Sequence, residues 1–498
     1  MSDSPEIPTS WLRLTLGDAI DYGKTIKAKP SEIPADAWVL ELEDIEKDTS
    51  QLLQRLTFAE RQSKSTKNRF AAGDVLYGKL RPYLNKVLIA NQDGYCTTEI
   101  VPLKPNLAIY ERYLFYWLKH SEFLSYVESV SHGIQMPRLG TEAGLKAPLI
   151  LAPLNEQRRI VAKLDRLFAR SRCAREELGR VSGLVQRYKQ AVLAAAFRGD
   201  LTADWRAENP DVEPASELLK QIQLNREQQV NLYRRNKKSK KSIDLFDATT
   251  VLYSENKHPK DIPNTWIRCH IGDIANVCNG STPSRKSSEY WNGNISWVSS
   301  GEVRNNVILR TKEAITQQGY DNSSVRILPV GTVLLAMIGE GKTRGQTAIL
   351  RIDATINQNI AGVITDHGLI LSEYLWYWFQ YQYESTREQG SGSGPQALNC
   401  QRVRELPFIV SPLIEQKEIV KRVEKLFKAI NLIEQEHQKA SKLLDRLEKA
   451  TLSKAFRGEL VPQDPNDEPA AVLLERIQAQ RQTQPKRKAK STRKPKAN

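Results

Sequence analysis

Clusters of small polar and basic residues lie in glycine-containing stretches between the β-rich runs of this 498-residue sequence. Arginine and lysine hydrogen-bond to guanine edges, glutamine and asparagine to adenine, and hydroxyl and backbone N–H groups hold phosphates. Glycine lets a backbone approach a ligand closely. Such stretches favour contact with DNA. The predicted contact residues are Lys79, Arg81, Asn85 and Arg138 in the first half of the chain and Ser281, Thr282, Arg285, Lys286, Lys342 and Arg344 in the second.

No catalytic or metal site can be assembled from the sequence. The six histidines and five cysteines have no metal-ligand spacing. The chain lacks the GxSxG, HExxH and GxGxxG patterns that position nucleophiles, zinc or dinucleotides. The stretch Asn209-Pro210-Asp211 lacks the aromatic residue with which an amino-methyltransferase holds a flipped base. The sequence therefore predicts no catalytic residue and no metal ligand.

One stretch resembles a phosphate-binding loop without meeting its requirements. Residues 336–343 read AMIGEGKT, with Ala336 where the first glycine of a P-loop stands. Such a loop must lead into a helix N-terminus, whose N–H groups and dipole bind the phosphate. The residues that follow, RGQT, are typical of a turn into a strand. Nucleotide binding is therefore not predicted here.

The positive charge is concentrated in two short segments. The formal net charge is +15. Residues 481–498 contribute eight Lys or Arg, residues 233–241 contribute six, and neither segment holds an acidic residue. The rest of the chain is therefore close to neutral. Basic segments of this kind can follow a polyanion such as nucleic acid, and they are equally typical of a solubilising linker and tail.

Apolar runs and cysteine usage indicate the compartment. No apolar run approaches the roughly 20 residues that span a bilayer, which argues against an integral membrane protein. The N-terminal stretch MSDSPEIPTSW has neither the basic nor the apolar region of a secretory signal. The five cysteines form no CxxC pair, as expected in a reducing environment. The predicted localisation is cytoplasmic.

The chain consists of two tandem copies of one sequence module. Residues 153–201 align without a gap with residues 412–460, and 19 of the 49 positions are identical. Fainter matches lie upstream, including Trp11 with Trp266. We expect the parts that are alike to do the same job twice and the divergent parts to do different jobs.

Each copy contains one long helix with a coiled-coil pattern. At positions spaced in steps of four and three, ten of eleven residues are apolar over 160–195 and eight of eleven over 419–454. Three sustained heptads of this kind are typical of a coiled coil. A proline precedes each helix and a glycine ends it, as is usual at helix boundaries. These residues are Pro153 and Gly199 in the first copy and Pro412 and Gly458 in the second.

The apolar strip along each long helix is called its seam. The two seams are expected to pack against each other as an antiparallel pair, since a whole second domain separates the two helices in the chain. A direct repeat folded in this way acquires a pseudo-two-fold axis. It would place the two globular parts at opposite ends of a rod of roughly 65 Å, at 1.5 Å per residue. The alternative is a homodimeric coiled coil that sets no distance.

The globular parts are predicted to be α+β, because turn signals separate short β-rich runs that do not alternate regularly with helices. Each part also holds one aromatic helix, at 110–126 and 372–383. The predicted fold is two globular α+β domains separated by a long antiparallel two-helix coiled coil, a pseudo-two-fold tandem duplication. The predicted segments are domains 1–152 and 262–411, helical regions 153–230 and 412–480, a basic linker 231–261 and a basic disordered tail 481–498.

The sequence resembles the specificity subunits of type I restriction–modification systems over nearly its whole length. The resemblance is strongest in PLNEQRRIVAKLDRLF and PLIEQKEIVKRVEKLF, each followed by an AFRG ending. GDVLYGKLRPYLNKV and NGSTPSRKSSEYWNGNISWVSSGEV look like pieces of target recognition domains. TINQNIAG and PFIVSPLIEQ add to the resemblance.

The resemblance implies a subunit with no catalytic activity of its own. Each target recognition domain would read one half of a bipartite, asymmetric DNA site, and the paired helices would set the gap between the halves. The implied partners are double-stranded DNA, two modification (methyltransferase) subunits and the restriction (translocase and nuclease) subunits, with no membrane. S-adenosylmethionine, ATP and magnesium would belong to those partners, and this chain would hold no cofactor.

Near-identity of the helical parts suggests how two copies of the same partner could dock. The predicted docking residues lie at the two helix ends and are Phe197, Arg198, Gly199, Phe456, Arg457 and Gly458. The same residues are also compatible with a plain helix cap and a core phenylalanine.

Two other function classes stay open at this point. One is a stand-alone DNA-modifying enzyme with unrecognised motifs, which methyl transfer by the purified chain alone would reveal. The other is a structural coiled-coil protein whose end domains bind proteins, which sequence-selective DNA binding would exclude.

Overall fold

The computed structural model describes residues 6–131, 136–236, 261–339, 342–365, 368–388 and 397–483. The chain divides into two units. The first unit is Met1–Gly179 with His437–Asn498, and the second unit is Arg180–Glu436. Each unit therefore contains one globular domain together with a segment of each of the two helical regions. The predicted segments follow one another along the chain and do not include this grouping.

The strands of the first unit form sheets of five, three and two strands among its described residues. They are β1 (Leu12–Thr15), β2 (Ile26–Ala28), β3 (Trp38–Leu40), β4 (Leu56–Thr57), β5 (Lys67–Phe70), β6 (Val75–Gly78), β7 (Val87–Ile89), β8 (Gly94–Thr97), β9 (Ile100–Leu103) and β10 (Pro148–Leu151). The strand orders are β2-β5-β8-β3-β4, β7-β6-β9 and β1-β10. β3 and β8 are parallel and the other neighbours antiparallel.

Among the described residues up to Gly179, five α-helices lie wholly in this unit and a sixth begins in it. They are α1 (Leu16–Ala19), α2 (Phe58–Arg61), α3 (Glu111–Trp117), α4 (Ser121–Val130), α5 (Thr141–Leu145) and α6 (Leu154–Arg198). Residues 154–179 of α6 belong to the first unit and the rest of it to the second.

In the described part of the second unit, the strands form sheets of the same sizes. They are β11 (Ile267–His270), β12 (Ala275–Asn279), β13 (Trp291–Val298), β14 (Asn306–Ile308), β15 (Glu313–Ile315), β16 (Val333–Ala336), β17 (Thr347–Leu350), β18 (Thr355–Ile356), β19 (Ile360–Thr365) and β20 (Pro407–Val410). The strand orders are β12-β19-β16-β17-β14, β15-β13-β18 and β11-β20.

The remaining helices follow in chain order. They are α7 (Ala203–Glu208), α8 (Ala215–Asn236), α9 (Ile271–Ile274), α10 (Gln317–Asp321), α11 (Ser372–Tyr381), α12 (Tyr383–Glu388), α13 (Cys400–Arg404), α14 (Leu413–Phe456) and α15 (Ala470–Thr483). Helix α8 continues six residues into the predicted linker 231–261, of which residues 237–260 lie outside the described residues. The predicted tail lies outside them from residue 484 onward.

The first and last strands of each globular domain pair with each other. Leu12 lies opposite Leu151 in the β1–β10 pair, and Ile267 lies opposite Val410 in the β11–β20 pair, both antiparallel. This pairing closes each domain and brings its first residues beside the start of the long helix that follows its last strand. The α+β prediction is confirmed in both units.

The predicted aromatic helix 110–126 is wrong as a single helix. Helix α3 ends at Trp117, and α4 begins at Ser121. Between them, His120 adopts an extended conformation, and its Nδ1 accepts a hydrogen bond from the backbone N–H of Glu122 at 3.4 Å. Because His120 is buried and stacked on Trp117 with 5.1 Å between ring centroids, it caps the second helix rather than continuing the first.

A buried Glu-Gln pair fixes the start of α6 to the first globular domain. The carboxylate of Glu156 accepts from the indole N–H of Trp11, with 2.8 Å between Oε2 and Nε1. The amide of Gln157 donates to the carbonyls of Ala108 and Ala152, both at 2.8 Å. Both side chains are fully buried.

The second unit repeats this arrangement at the start of α14. Glu415 accepts from the indole N–H of Trp266 at 2.7 Å, and the amide of Gln416 donates to the carbonyl of Ser411 at 2.9 Å. Both side chains are again fully buried. The motif that the two sequence copies share most clearly, PLxEQ, thus joins each long helix to its globular domain.

The C-terminal end of each long helix packs a phenylalanine against an aromatic helix of the unit in which the long helix ends. Phe456 at the end of α14 contacts Tyr113 and Trp117 in the first unit, with ring centroids 5.1 and 5.0 Å apart. In the second unit, Phe197 at the end of α6 contacts Tyr374 and Trp378 at 5.2 and 5.0 Å.

The glycines that end these helices are required by the backbone. Gly199 and Gly458 have φ of 85° and 78°, in the left-handed region. A Cβ atom at Gly199 would lie 2.5 Å from the ring of Pro263, and one at Gly458 would lie 2.3 Å from the ring of Pro8. The predicted helix stops are therefore confirmed.

Within each unit, segments of α6 and α14 pack side by side and run antiparallel. In the first unit Arg175 forms ion pairs with Asp445 at 2.8 Å and with Glu448 at 3.2 Å, and the hydroxyl of Ser171 donates to the carboxylate of Glu448. In the second unit Lys189 pairs with Glu434 at 3.1 Å. Higher numbers in α6 thus face lower numbers in α14, and the predicted antiparallel helix pair is confirmed.

The predicted seam is wrong at four positions. Ala174 and Ile433, which are equivalent in the repeat, are exposed, and so are the equivalent residues Tyr188 and Leu447. The exposed fractions of Tyr188, Ile433 and Leu447 are 55%, 55% and 56%. Two helices cover only the strip along which they touch, so apolar residues beside that strip stay exposed unless a third element packs on them.

The two buried glutamates have different surroundings, which makes them a matched pair for mutation. Glu415 forms an ion pair with the guanidinium of Arg206 at 2.5 Å and accepts from the hydroxyl of Thr202 at 2.7 Å. Glu156 instead accepts from the neutral amide of Gln463. Burial raises the pKa of Glu156 above its ordinary value of 4.5.

We expect Glu415→Gln to lower the free energy of unfolding by about 1–3 kcal/mol, because it leaves the half-buried Arg206 without its counter-charge. Glu156→Gln should cost less, because its hydrogen-bond partners Trp11 and Gln463 are neutral and an amide oxygen still accepts from Trp11. Urea unfolding of both variants at pH 7 measures this difference. Equal losses, or a larger loss for Glu156→Gln, would contradict it.

The Glu156→Gln variant should also differ from the wild type in the pH dependence of its stability. A raised pKa in the folded state means that Glu156 ionises more readily after unfolding, so its contribution to stability falls as pH rises from 4.5 through the folded pKa. The stability of the wild type relative to Glu156→Gln should therefore decline over that range. A flat difference between the two proteins would show that burial does not perturb this carboxyl.

Candidate nucleic-acid interface

Both globular domains hold their candidate loops on the same backbone frame. In the first unit the N–H of Lys79, just after β6, donates to the carbonyl of Glu99 at 2.9 Å, and the N–H of Leu139 donates to the carbonyl of Lys79 at 3.0 Å. In the second unit Met337, just after β16, makes the corresponding bonds with Asn359 at 2.9 Å and Leu398 at 3.0 Å. Lys79 and Met337 are therefore structurally equivalent, and so are Glu99 and Asn359.

The frame brings together three of the four residues predicted in the first domain. Lys79 lies in it, the N–H of Arg81 donates to the carbonyl of Pro137 at 2.8 Å, and Arg138 pairs with Leu80 in a β-bridge. Arg81 and Arg138 are exposed and Lys79 is half-buried. The result is a compact group of cations at the C-terminal end of β6, the central strand of the β7-β6-β9 sheet.

Asn85 is placed differently from the other three. It follows the short 3₁₀ turn Pro82–Leu84, has φ of 48°, and its N–H donates to the carbonyl of Pro82 at 2.9 Å. Its side chain is only 8% exposed, so a base edge cannot reach it as it can reach Arg81. Base reading by Asn85 stays a prediction that would require this side chain to turn outward.

The first candidate loop of the second domain, 280–286, is hydrogen-bonded to the last residue of β18 and to the segment just after that strand. The N–H of Ser281 donates to the carbonyl of Ile356 at 2.9 Å, and the hydroxyl of Thr282 donates to Oε1 of Gln358. A Cβ at Gly280 would lie 1.9 Å from that same carbonyl oxygen of Ile356, so only glycine allows the loop to approach this closely.

Arg285 lies near the C-terminal end of this loop and contacts Trp291 and Glu313. Its guanidinium lies 3.7 Å from the ring centroid of Trp291, and its NH2 lies 3.0 Å from Oε2 of Glu313. The hydrogen bond with Glu313 raises the pKa of the guanidinium above its ordinary value. Lys286, the next residue, is exposed. Arg285 is therefore held in place within the loop, and both Arg285 and Lys286 are exposed to solvent.

Lys342 and Arg344 lie in the loop between β16 and β17, whose residues 340 and 341 are outside the described residues. Arg344 donates to the carbonyl of Arg387 at 2.9 Å, and Arg387 donates back to the carbonyl of Arg344 at 3.1 Å. The hydroxyl of Tyr383 donates to the carbonyl of Lys342 at 2.6 Å. A turn and strand β17 follow this loop, as the argument against a P-loop predicted.

Sequence reasoning missed the residues that support these loops. Tyr383 and Arg387 on α12 carry no local signal, since they are distant in sequence from the loop they hold. Glu99 and Asn359 had a usable signal, because each is a polar residue directly before a buried strand at equivalent places in the two repeats, and Gln358 lies one residue earlier. Gln358 is exposed beside Thr282, where an amide can read a base.

The predicted docking residues fall into two groups. Phe197 and Phe456 are 1% exposed, and the two glycines cap the helices, so these side chains act inside the units. Arg198 and Arg457 are accessible and form short-range ion pairs, with Asp200 and Glu459, both at 2.8 Å. Docking at the helix ends stays a prediction, and the two arginines are the part of it that a partner could reach.

A second duplicated surface was not predicted. Leu184 and Tyr188 on α6 are each 55% exposed in the second unit. Their equivalents in the repeat, Leu443 and Leu447 on α14, are 64% and 56% exposed in the first unit. We call these two pairs the apolar flanks.

In the described part of the chain, no group of three or more His, Cys, Asp or Glu residues is arranged so that it could hold a metal ion. None of its helices is both long and apolar enough to cross a lipid bilayer.

Comparison with solved structures supports the fold. A chain from a structural study of complex assembly and conformational transition of the type I R-M system aligns over 92% of this chain and 100% of its own length, with a TM-score of 0.69 and 17% identity. The HsdS subunit from Thermoanaerobacter tengcongensis aligns over the same shares with a TM-score of 0.51 and 18% identity.

Sequence relatives point the same way. The EcoDI specificity subunit of Escherichia coli is 32% identical over 226 residues, which are 45% of this chain and 50% of that subunit. The EcoBI specificity subunit of Escherichia coli is 26% identical over 380 residues, 72% of this chain and 70% of that subunit. The chain thus spans about half of one of these relatives and over two thirds of the other.

The family model described as the type I restriction modification DNA specificity domain matches this chain twice, over residues 16–178 and 263–442. Each match contains one backbone frame, one set of candidate loops and one buried Glu-Gln pair. With most of the chain covered, the protein belongs to the type I restriction–modification specificity subunits.

Proposed function

We propose that this chain is the non-catalytic subunit that gives a type I restriction–modification complex its DNA sequence specificity. Each globular domain reads one half of a bipartite, asymmetric site, and α6 and α14 set the number of base pairs between the halves. One observation carries the proposal: both domains build the same hydrogen-bonded frame but fill it with different side chains. Lys79 and Glu99 in the first domain stand where Met337 and Asn359 stand in the second.

The frame explains how one fold can recognise two sequences. Its hydrogen bonds use backbone N–H and carbonyl groups, which every residue type supplies except for the N–H that proline lacks. Side chains on the frame can therefore change without altering the path of the loops. A symmetric protein reading a palindrome would need the same side chains in both copies, so the difference predicts a site whose halves differ.

The proposed partners follow from the duplicated surfaces. Two methyltransferase subunits bind, one to each copy of the helical surface, and restriction subunits complete the nuclease. S-adenosylmethionine, ATP and magnesium belong to those subunits. The complex acts on DNA in the cytoplasm.

The apolar flanks are the surface we assign to methyltransferase docking, together with Arg198 and Arg457. Exposed leucine and tyrosine side chains grouped on a helix mark interaction sites on soluble proteins. Because Leu184 and Leu443 occupy equivalent places in the repeat, one type of partner can bind both flanks. This arrangement matches two copies of a single subunit better than two different partners.

The division between the domains can be tested in the complex reconstituted with its methyltransferase subunits. Lys79→Ala with Arg81→Ala should alter selection from a randomised duplex in one half of the site only, by about 1–3 kcal/mol at the affected base pairs. Lys342→Ala with Arg344→Ala should alter the other half. A change in both halves from one double variant would contradict separate reading.

The role of Arg285 can be tested by a conservative pair of variants. Arg285→Lys should increase amide hydrogen exchange in residues 281–290, because lysine can neither stack flat on Trp291 nor bond Glu313 with two N–H groups. Lys286→Arg serves as the control and should leave exchange unchanged. Equal exchange in Arg285→Lys and wild type would show that Arg285 does not position the loop.

Docking can be tested with variants that change both copies of a surface. Leu184→Ser with Leu443→Ser, and separately Arg198→Ala with Arg457→Ala, should each weaken methyltransferase binding at least about tenfold, the effect of losing roughly 1.4 kcal/mol. Leu53→Ser with Leu309→Ser is the control, since these leucines are 60% and 69% exposed outside the helical surface. Unchanged assembly in either test pair would exclude that surface.

A further inference from the structure

Glu99 and Arg138 form an exposed ion pair in the first unit that structural needs do not explain. Nε of Arg138 lies 3.1 Å from Oε2 of Glu99, and the side chains are 51% and 25% exposed. Exposed pairs of this kind contribute little to stability. Both residues lie in the frame that also holds Lys79, so their backbones are fixed relative to each other.

The contact leaves most of the hydrogen-bonding capacity of both groups available. It uses one of the five N–H donors of the guanidinium and one oxygen of the carboxylate. A planar donor fork and a carboxylate acceptor therefore lie side by side on one exposed edge. Each group orients the other while both can bind a further ligand.

This combination matches one base pair in the major groove. A G·C pair presents two adjacent acceptors, guanine N7 and O6, beside the N4 amino donor of cytosine. Arginine binds the two guanine acceptors with two N–H groups, and a carboxylate accepts from the cytosine amino group. An A·T pair offers no two adjacent acceptors on adenine, so the guanidinium would lose one bond there.

The carboxylate also argues against a phosphate as the ligand of Arg138. A phosphate bound to this guanidinium would approach Glu99, and two anions close together repel each other. Base edges carry no net charge, so the pair can bind them without this cost.

We propose that Glu99 and Arg138 together read one G·C base pair in the half-site of the first domain. This inference rests on the proposed function of the chain. The second domain has Asn359 and Ala397 at the equivalent places of its frame, so it lacks both charges and reads its half-site by other means.

The test uses the complex of the full chain with its methyltransferase subunits and selection from a randomised duplex at one salt concentration. Arg138→Ala should reduce discrimination at one G·C position by roughly 5- to 150-fold and leave the other positions unchanged. Glu99→Ala should relax that same position, and the double variant should lose no more than the two single losses combined. Arg138→Lys, which keeps the charge without the fork, should also relax it.

The matched control is Lys146→Ala, which removes an exposed ion pair with Glu142 at 2.7 Å in the same unit and should change no position. Thermal unfolding of each variant separates loss of reading from loss of fold, and a folded Arg138→Lys keeps the test decisive. The inference would be overturned if Arg138→Ala weakened binding equally on all sequences or if the affected position were an A·T pair. It would also be overturned if Arg138→Ala and Glu99→Ala changed two different positions. A wild-type complex without any sequence preference would instead overturn the proposed function.

Discussion

The structure depends on a hydrogen bond between a tryptophan indole and a buried glutamate, made once in each unit. Trp11 precedes the first strand of one domain and Trp266 that of the other, while Glu156 and Glu415 lie in the first turn of the helix that follows the last strand. Each bond therefore ties the beginning of a domain to its end. A buried carboxylate is costly unless its oxygens are satisfied, so the loops of each domain are mounted on a helix that cannot shift without breaking this bond.

Because the Trp-Glu hydrogen bonds hold each domain rigidly on its helix, the side chains at the candidate DNA-contact loops can differ between the two domains. The frame at the ends of β6 and β16 is held by backbone hydrogen bonds at Lys79 and Met337, so the side chains of these frame residues are not used in its bonds. One architecture can then present an Arg-Glu pair in one domain and amides in the other. Stability and specificity are in this way carried by different atoms, which lets one change while the other is retained.

Much of the fold could be predicted because its signals are local. Heptad spacing, Pro153 before α6 and Gly199 after it define a helix from neighbouring residues alone, and the repeat supplied its partner. The exposure of Tyr188 could not be predicted, because a seven-residue repeat does not determine how wide the strip of contact between the two helices is. His120 broke an aromatic helix through stacking and capping that depend on Trp117 and Phe456.

The candidate site was predictable only in part, because many of its contacts join residues that are distant in sequence. Arg81 and Arg138 could be chosen by residue type and loop composition, whereas the pairing of Arg138 with Glu99 joins residues 39 positions apart. Tyr383 and Arg387 support a loop through contacts that no spacing encodes. Burial also distinguished residues that composition treats alike, since Asn85 is enclosed and Arg81 is open.

The burial of Phe456 against Tyr113 and Trp117 has a consequence for synthesis on the ribosome. The residues that enclose it are made more than 300 positions earlier in the chain, and at the usual pace of elongation that interval lasts on the order of tens of seconds. Phe197, in contrast, is made before Tyr374 and Trp378 and is present when its pocket emerges. The nascent first domain must therefore wait with an open aromatic cleft, at risk of capture by chaperones or other chains, while the second can close as it is made.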